Sequence, residues 1–302
     1  MITRFNFHRT SLALVSLLAL PAGLGCRNTA ASDETGQIGA SVGEVMSSLD
    51  ESAQGDTTVA MMMPTLPVMR LPAELRPPAW RRALDLVSPT AHAAACREAT
   101  FSACTSGERT RTFTDCSVGL ATLSGTVGLS FSAAPLCALL SAGDSITRTA
   151  DFTLTGLYGG SLSVSSPGGG QTLTRTAGGF TYAVGGIERV LMGPAGRTLF
   201  DVSTTTPSPI TVTGSSRADL VIVSGSLLVT HHLAGYSVLL TPNNLAWAPS
   251  CNCAVSGSLT GSVSGGKHDG KSATVTLTGC GEADVTIDGQ TESISLDRCT
   301  SI

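Results

Sequence analysis

Polar and apolar residues alternate most clearly between Cys251 and Cys299, in the runs Ser258-Leu259-Thr260, Ala273-Thr274-Val275-Thr276-Leu277, Asp284-Val285-Thr286-Ile287 and Ser293-Ile294-Ser295-Leu296. In each run every second residue is aliphatic, and its neighbours are serine, threonine or acidic. Because successive side chains of a strand point to opposite faces of a sheet, each run predicts a strand with one buried face. Glycines separate the runs and mark turns. This end of the chain is therefore predicted to be an antiparallel β-meander.

The same pattern extends back to Cys96. Short connections without intervening helices favour antiparallel neighbours. The predicted fold is mainly β: an antiparallel β-meander forming a large curved sheet or a two-layer β structure, with one or two short helices in the N-terminal segment. Further strands are predicted at 111–116, 121–131, 146–155, 161–165, 172–176, 180–184, 198–203, 210–213, 219–231 and 236–240, with glycine turns at 159–160, 168–170, 178–179 and 185–186.

The composition limits how such a sheet can be stabilised. Of the 302 residues, 13% are charged and only 4% are aromatic, so the core must consist of Val, Leu, Ile and Ala. Burial contributes roughly 25 cal/mol per Å² of apolar surface, and small side chains supply little of that surface. Cross-links are therefore useful to this chain.

Nine cysteines are present, and Cys26 belongs to the export signal described below. The other eight form an even set, which predicts a disulfide framework in an oxidising compartment. Two pairings of Cys280 are predicted: with Cys299 if Gly289-Gln290 closes the last hairpin, or with Cys253 across the turn between residues 265 and 270. A four-thiolate metal site is the alternative at the C-terminal end. The eight cysteines are Cys96, Cys104, Cys116, Cys137, Cys251, Cys253, Cys280 and Cys299.

Residues 1–26 have the composition of an export signal. Arg4 and Arg9 precede an apolar run at 12–20 that is too short to span a bilayer, and small residues follow up to Cys26. This segment resembles bacterial lipoprotein precursors, which signal peptidase II cleaves before a diacylated cysteine. Gly25 fits that pattern, whereas Gly23 and Leu24 depart from its usual leucine and small residue. The resemblance implies lipidation at Cys26, and the Arg27 that follows implies the outer membrane.

The chain divides into three predicted parts: a signal peptide at 1–25, a lipid-anchored and partly disordered tether at 26–95, and a disulfide-stapled β domain at 96–302. Two short amphipathic helices are predicted in the tether, one through Ile38 and Leu49 and one through Trp80 and Val87. They are expected to pad the tether or to cover a sheet edge. Docking of a partner or a membrane surface is the alternative.

The charge excludes one class of partner. Without residues 1–26, which contain no acidic residue, 16 basic and 22 acidic residues remain, a net charge of −6. Nucleic-acid binding depends largely on neutralising phosphates with basic residues. The sequence therefore predicts no nucleic-acid partner.

The segment from Gly265 to Ser272 matches the phosphate-binding string G-x-x-x-x-G-K-S, with Gly265, Gly270, Lys271 and Ser272 at its fixed positions. A phosphate-binding loop leads into a helix whose N-terminal amides hold the phosphates. Here a predicted strand follows Ser272. The segment is interpreted as a polar hairpin turn with solvated lysines, and the match is attributed to chance.

Other polar residues give no catalytic motif. His231 and His232 are adjacent in a predicted strand, so their rings should lie on opposite faces and not share a metal ion. Asp284 and Asp288 share a face but are about 13 Å apart, too far for a glycosidase pair. A G-x-S-x-G nucleophile elbow is absent from the sequence. The sequence therefore assigns no catalytic residue, metal or cofactor.

The expected function is that of a bacterial envelope lipoprotein with a non-catalytic structural or interaction β domain. It would be anchored to the outer membrane through its N-terminal lipid, on the periplasmic face or at the cell surface, and would contact an envelope protein or a surface ligand. The alternative is a carrier that binds a lipid-like ligand in a curved sheet, which requires an open apolar concave face. A hydrolase without a recognisable motif is a lesser alternative.

Overall fold

The computed structural model describes residues 100–118, 121–133, 137, 141–157, 159–214, 217–251, 253–296 and 299. The predicted signal peptide, Cys26, Cys96, the tether and its two helices lie outside the described residues. Within the described ranges no helix is long and apolar enough to cross a bilayer.

Thirteen strands follow one another along the described chain, and a short 3-10 helix, Arg217–Asp219, lies between the seventh and the eighth. They are β1 (Thr100–Phe101), β2 (Glu108–Val118), β3 (Ala121–Phe131), β4 (Ser145–Gly156), β5 (Ser161–Thr176), β6 (Gly179–Met192), β7 (Thr198–Thr213), β8 (Val221–His231), β9 (Tyr236–Trp247), β10 (Ala254–Gly265), β11 (Ser272–Gly279), β12 (Glu282–Ile287) and β13 (Gln290–Ser295).

The strands form one antiparallel sheet whose spatial order is the order of the chain. Each strand pairs with the strand before it and the strand after it, and the edges of the sheet are β1 and β13. Short turns suffice for such neighbours, whereas parallel strands would need long crossovers. The predicted antiparallel meander is confirmed.

One face of this sheet is buried and the other is polar. In β11 the alternation places Ala273, Val275 and Leu277 inside, and their neighbours Thr274 and Thr276 outside. The buried side chains of all strands from β2 to β12 join in a single cluster. The inner face is therefore the hydrophobic core, as the alternation predicted.

A line of irregularities crosses the sheet and bends it. Register shifts interrupt most strand pairs from β2–β3 to β7–β8 near the strand centres, and further shifts in the β9–β10 pair lie near the start of β10. In β6 the buried positions change from even to odd numbers between Val184 and Ile187, because the extra residue of a bulge reverses the side-chain alternation. Bulges also kink strands, so this line allows one meander to curve while the same face stays buried.

Two of the predicted glycine turns are wrong, because β5 and β6 run through them. The backbones of Gly168 and Gly185 touch, and a Cβ on Gly168 would lie 2.3 Å from the carbonyl oxygen of Gly185. Glycines 168–170 and 185–186 thus serve the close approach of two strands and not their ends. The predicted strands at 161–165 and 172–176 are consequently one strand.

The strands predicted at 198–203 and 210–213 are likewise a single strand, β7. Pro207 and Pro209 lie between them, and proline is normally a strand breaker because it cannot donate a backbone hydrogen bond. The β7–β8 register shifts on both sides of Ser208, so the prolines occupy a bulge where no ladder bond is required.

Candidate functional site

A hydroxyl and an imidazole meet where β7 and β8 approach the turn that leads to β9. Ser203 lies on the outer face of β7, and His232 is the first residue of the turn. The Nε2 atom of His232 lies 3.1 Å from the Oγ atom of Ser203. The backbone N–H of His232 donates to the carbonyl oxygen of Asp201 at 2.9 Å, which fixes the turn against β7.

Two carboxylates flank Ser203. Glu188 of β6 is its direct partner across the strand pair, and its Oε2 atom accepts a hydrogen bond from Ser165 Oγ at 3.5 Å. Asp201 precedes Ser203 by two residues, so both point to the outer face. The Oδ1 atom of Asp201 is buried and has no hydrogen-bond partner. Hydroxyl, imidazole and carboxylate groups are thus gathered on one patch of the sheet.

This patch has part of what nucleophilic catalysis requires. An imidazole within hydrogen-bond distance of a hydroxyl can accept its proton, but it must also be oriented by a third group, and donors must face the developing oxyanion. No motif in the sequence indicates that Ser203 lies beside His232. Strand alternation gives the face of Ser203, but the pair also depends on the β7–β8 register, which the bulge around Ser208 shifts.

His231 lies on the opposite face, as predicted, and is only 2% exposed. Its ring stacks on Tyr236 at a centroid distance of 4.5 Å and meets the edge of Phe200 at 6.2 Å. Burial, together with the smaller effect of His232, lowers the pKa of His231 to about 4. Neither ring nitrogen has a hydrogen-bond partner. His231 is therefore a neutral core residue at neutral pH and shares no site with His232.

Arginines lie on the inner face of the sheet, which the sequence analysis did not foresee. Arg111 is 5% exposed, and its guanidinium carbon lies 4.7 Å above the ring of Phe113. Desolvation lowers the pKa of Arg111. Arg148 donates from Nη1 to Gln171 Oε1 at 3.5 Å, and Arg189 is 9% exposed. Strand alternation alone predicts that these arginine side chains lie on the inner face. Their charge predicts the opposite, because charged residues are usually exposed.

The C-terminal cysteines form two disulfides, Cys251–Cys280 and Cys253–Cys299, with Cα–Cα distances of 5.7 and 5.3 Å. Both predicted partners of Cys280 are wrong. Asp288-Gly289 closes the last hairpin, which moves Cys299 away from Cys280. On the other side, the regular register of β10 and β11 ends at Ser258 and Thr276, and beyond it Cys280 bonds to Cys251 and not to Cys253.

These two bonds use all four C-terminal sulfurs, so the alternative of a four-thiolate metal site is wrong. Cys104–Cys137 is a third disulfide, and Cys116 is also disulfide-bonded. In the part of the chain that the structure describes, no three His, Cys, Asp or Glu side chains cluster as metal ligands.

The segment that matches a phosphate-binding string is a hairpin turn between β10 and β11, as predicted. The backbone N–H of Gly265 donates to Asp269 Oδ1 at 2.7 Å. Lys271 Nζ lies 3.0 Å from Asp288 Oδ2, in the neighbouring turn. Ser272 begins a strand. The amide and the lysine that would face phosphates are thus engaged by carboxylates of the protein itself.

Asp284 and Asp288 have separate partners. Ser293 Oγ donates to Asp284 Oδ1 at 2.6 Å, and Asp288 pairs with Lys271. These contacts cross-link neighbouring strands and turns at the edge of the sheet.

No protein-family model, curated protein sequence or solved structure matches this chain.

Proposed function

We propose that this chain is an exported envelope lipoprotein whose β domain has a non-catalytic, structural or interaction role. The observation that carries the proposal is the oxidation of its cysteines: three disulfides are formed among the described residues, and Cys116 is disulfide-bonded as well. Disulfides persist in the periplasm and at cell surfaces and are rare in the cytosol. Their number supports a location outside the cytoplasm.

The anchor proposed for this domain is a lipid on Cys26. The export-signal composition of residues 1–26 and the resemblance to lipoprotein precursors support it. Arg27 favours the outer membrane. The chain would then be held at the periplasmic face or at the cell surface, and the segment between Cys26 and Cys96 would connect the β domain to the anchor.

An interaction role fits the two faces of the sheet. The inner face is packed with buried side chains, such as Val127, Val238 and Leu240 at 0% exposure, which favours a filled core over the open apolar surface of a lipid carrier. The outer face presents hydroxyl groups in register across several strands. One row of five threonines crosses β9 to β13: Thr241, Thr260, Thr274, Thr286 and Thr291.

Intact-mass analysis of the native protein, before and after reduction, tests this proposal. The expected mass of the envelope form lacks residues 1–25 and includes acyl chains on Cys26, and reduction adds two mass units for each disulfide. A mature protein without acyl chains contradicts the anchor. A protein whose thiols are free in its native compartment contradicts export.

A hydrolase is the second candidate, and the 3.1 Å contact between Ser203 Oγ and His232 Nε2 favours it. A fluorophosphonate probe tests it, because such probes label only activated serines. A hydrolase would be labelled at Ser203, and both Ser203→Ala and His232→Gln would abolish the labelling. Ser163→Ala is the matched control, since Ser163 is also on the outer face and its hydroxyl also has a partner, Thr153. The non-catalytic proposal expects no labelling of either serine.

A further inference from the structure

Exposed aliphatic side chains concentrate at one end of the sheet. Six large hydrophobic residues are exposed among those the structure describes, and four of them lie in or beside three turns. Leu157, Leu199 and Leu233 are 66%, 51% and 56% exposed, and Met192 is 37% exposed. The other two, Val223 and Leu239, lie within strands. Scattered single residues would need no explanation, but a concentration of this kind does.

The three turns are neighbours in space. In a meander, the β4–β5, β6–β7 and β8–β9 connections all lie at the same end of the sheet. A Cβ on Gly160 would lie 3.2 Å from the carbonyl oxygen of Met192, so the first turn touches the second. The bond from His232 N–H to the Asp201 carbonyl joins the third turn to β7. Strands are about 4.8 Å apart, so the apolar tips span about 20 Å.

The turns at this end carry a small excess of basic residues, and the carboxylates of Asp201 and Glu188 lie within the strands behind them. None of the three turn sequences, 157–160, 193–197 and 232–235, contains Asp or Glu, and Arg197 lies in the second. The other described turns at this end contain Lys267, Lys271, Asp269 and Asp288, so that the five turns together have a net charge of +1. Aliphatic tips accompanied by basic residues are the composition with which proteins enter the interface of an anionic bilayer. At the opposite end, the described turns contain Asp144, Arg217 and Asp219, a net charge of −1, and no exposed large aliphatic residue.

We propose that this end is a lipid-contacting edge, defined by Leu157, Met192, Leu199 and Leu233, that inserts its tips into the headgroup region of an anionic bilayer. The inference deepens the proposed function and rests on it for placing the chain beside a membrane. The diacyl group proposed on Cys26 would suffice to hold the chain at the membrane. The edge adds an orientation, because inserted tips place the β-strands along the membrane normal.

Vesicle co-sedimentation of an unacylated protein separates this inference from the anchor. The protein is the chain from residue 26 onward, exported behind an ordinary cleavable leader and carrying Cys26→Ser. The probes are vesicles of phosphatidylcholine, alone or mixed with phosphatidylglycerol. We expect binding to the mixed vesicles, and the triple variant Leu157→Ser, Leu199→Ser, Leu233→Ser should lower the partition coefficient at least about tenfold.

Two variants serve as comparisons. Val223→Ser with Leu239→Ser removes exposed aliphatic side chains away from the edge and should leave binding unchanged. Arg197→Gln should weaken binding about fivefold on the anionic vesicles only. The inference is overturned if the unacylated parent does not sediment with vesicles, or if the strand variant weakens binding as much as the edge variant. Neither result depends on whether Cys26 is lipidated.

Tryptophan fluorescence provides a second test, which remains valid if the triple variant does not fold. Leu233→Trp places an indole at the edge, and Leu239→Trp places one on the outer face of β9. Brominated phospholipids in the vesicles should quench the added fluorescence of Leu233→Trp and not that of Leu239→Trp. Equal quenching of the two, or quenching of neither, contradicts the lipid-contacting edge.

Discussion

The centre of the sheet and its C-terminal end are held together in different ways. Strands β5 to β7 have 14 to 16 residues, contain no cysteine, and have buried residues in both halves of each strand. Strands β11 to β13 have 6 to 8 residues, and β13 has no buried residue. The two C-terminal disulfides connect this weaker part to the start of β10. Disulfides thus lie where strands are too short to stabilise themselves.

The N-terminal edge follows the same rule. β1 has two residues, and Cys104–Cys137 and the bonded Cys116 lie beside it. An exposed edge strand frays easily and offers unpaired backbone groups to other chains. Disulfides therefore stabilise both edges of the sheet, and packing between the backbones of long strands stabilises its centre.

The largest effect is expected where the central strands touch. Gly170 has a φ of 83°, and a Cβ there would lie only 2.0 Å from the carbonyl oxygen of Arg148. Gly170→Ala should lower the free energy of unfolding by about 4 kcal/mol or more. Gly169→Ala is the matched control, because Gly169 has a φ of 94° but open space around its Cβ position. Gly169→Ala should lower the free energy of unfolding by about 1–2 kcal/mol. If urea unfolding gives the same loss of stability for both variants, close contact between the strand backbones does not stabilise the centre of the sheet.

Removing a C-terminal disulfide should have the next largest effect. The Cys253–Cys299 bond closes a loop with a sequence separation of 46. The double variant Cys253→Ala, Cys299→Ala should lower the free energy of unfolding by about 3–4 kcal/mol. Hydrogen exchange should accelerate in β12 and β13 and stay slow in β5 to β7. Uniform acceleration across the sheet would contradict the division between edge and centre.

Acid should weaken the centre through His231. The pKa of His231 is about 4 in the folded protein and about 6.5 when unfolded, so the unfolded chain binds a proton first as the pH falls. Its contribution is complete above pH 6.5 and is lost by about pH 4, which amounts to about 3 kcal/mol. In His231→Phe the pH dependence of urea unfolding should flatten by about this amount, whereas the exposed His232→Gln should retain it. A wild-type slope in His231→Phe would assign the acid sensitivity to other groups.

The smallest effect is expected at the turns beside the C-terminal edge. Lys271 and Asp288 form an ion pair, but their side chains are 47% and 54% exposed. Lys271→Ala should change the free energy of unfolding by less than about 0.5 kcal/mol, and added salt should remove the difference. A change as large as that of the disulfide variant would mean that this turn, and not the sulfur bonds, secures the edge.

Alternation alone was enough to predict the fold class and most strands. Runs such as 273–277 and 236–240 became strands because their buried faces were clear in the sequence. The glycines at 168–170 and 185–186 were predicted to form turns, but they lie inside strands. Their role, which is to let two strand backbones come into contact, is visible only once the partner strand is known. Local signals cannot distinguish these cases, because the deciding atom belongs to a residue distant in sequence.

The contacts of the candidate site could not be predicted, because they depend on the register between strands. The disulfide partner of Cys280 depends on the path of the chain beyond the last paired residues of β10 and β11, and the contact between Ser203 and His232 depends on a bulge that shifts β7 against β8. A shift of one residue changes which side chains meet. The faces of Ser203 and His231 could be predicted from alternation, but their neighbours could not.

The pairing of each strand with its neighbours in sequence has a consequence for the proposed export. A polypeptide that emerges from a translocation channel with its N-terminus first exposes β2 before β3, and each later strand finds its partner already outside. No early segment has to wait for a distant one, because pairings are local in sequence. Assembly can thus keep pace with the proposed secretion, and the bond between Cys253 and Cys299 forms once β10 to β13 have emerged.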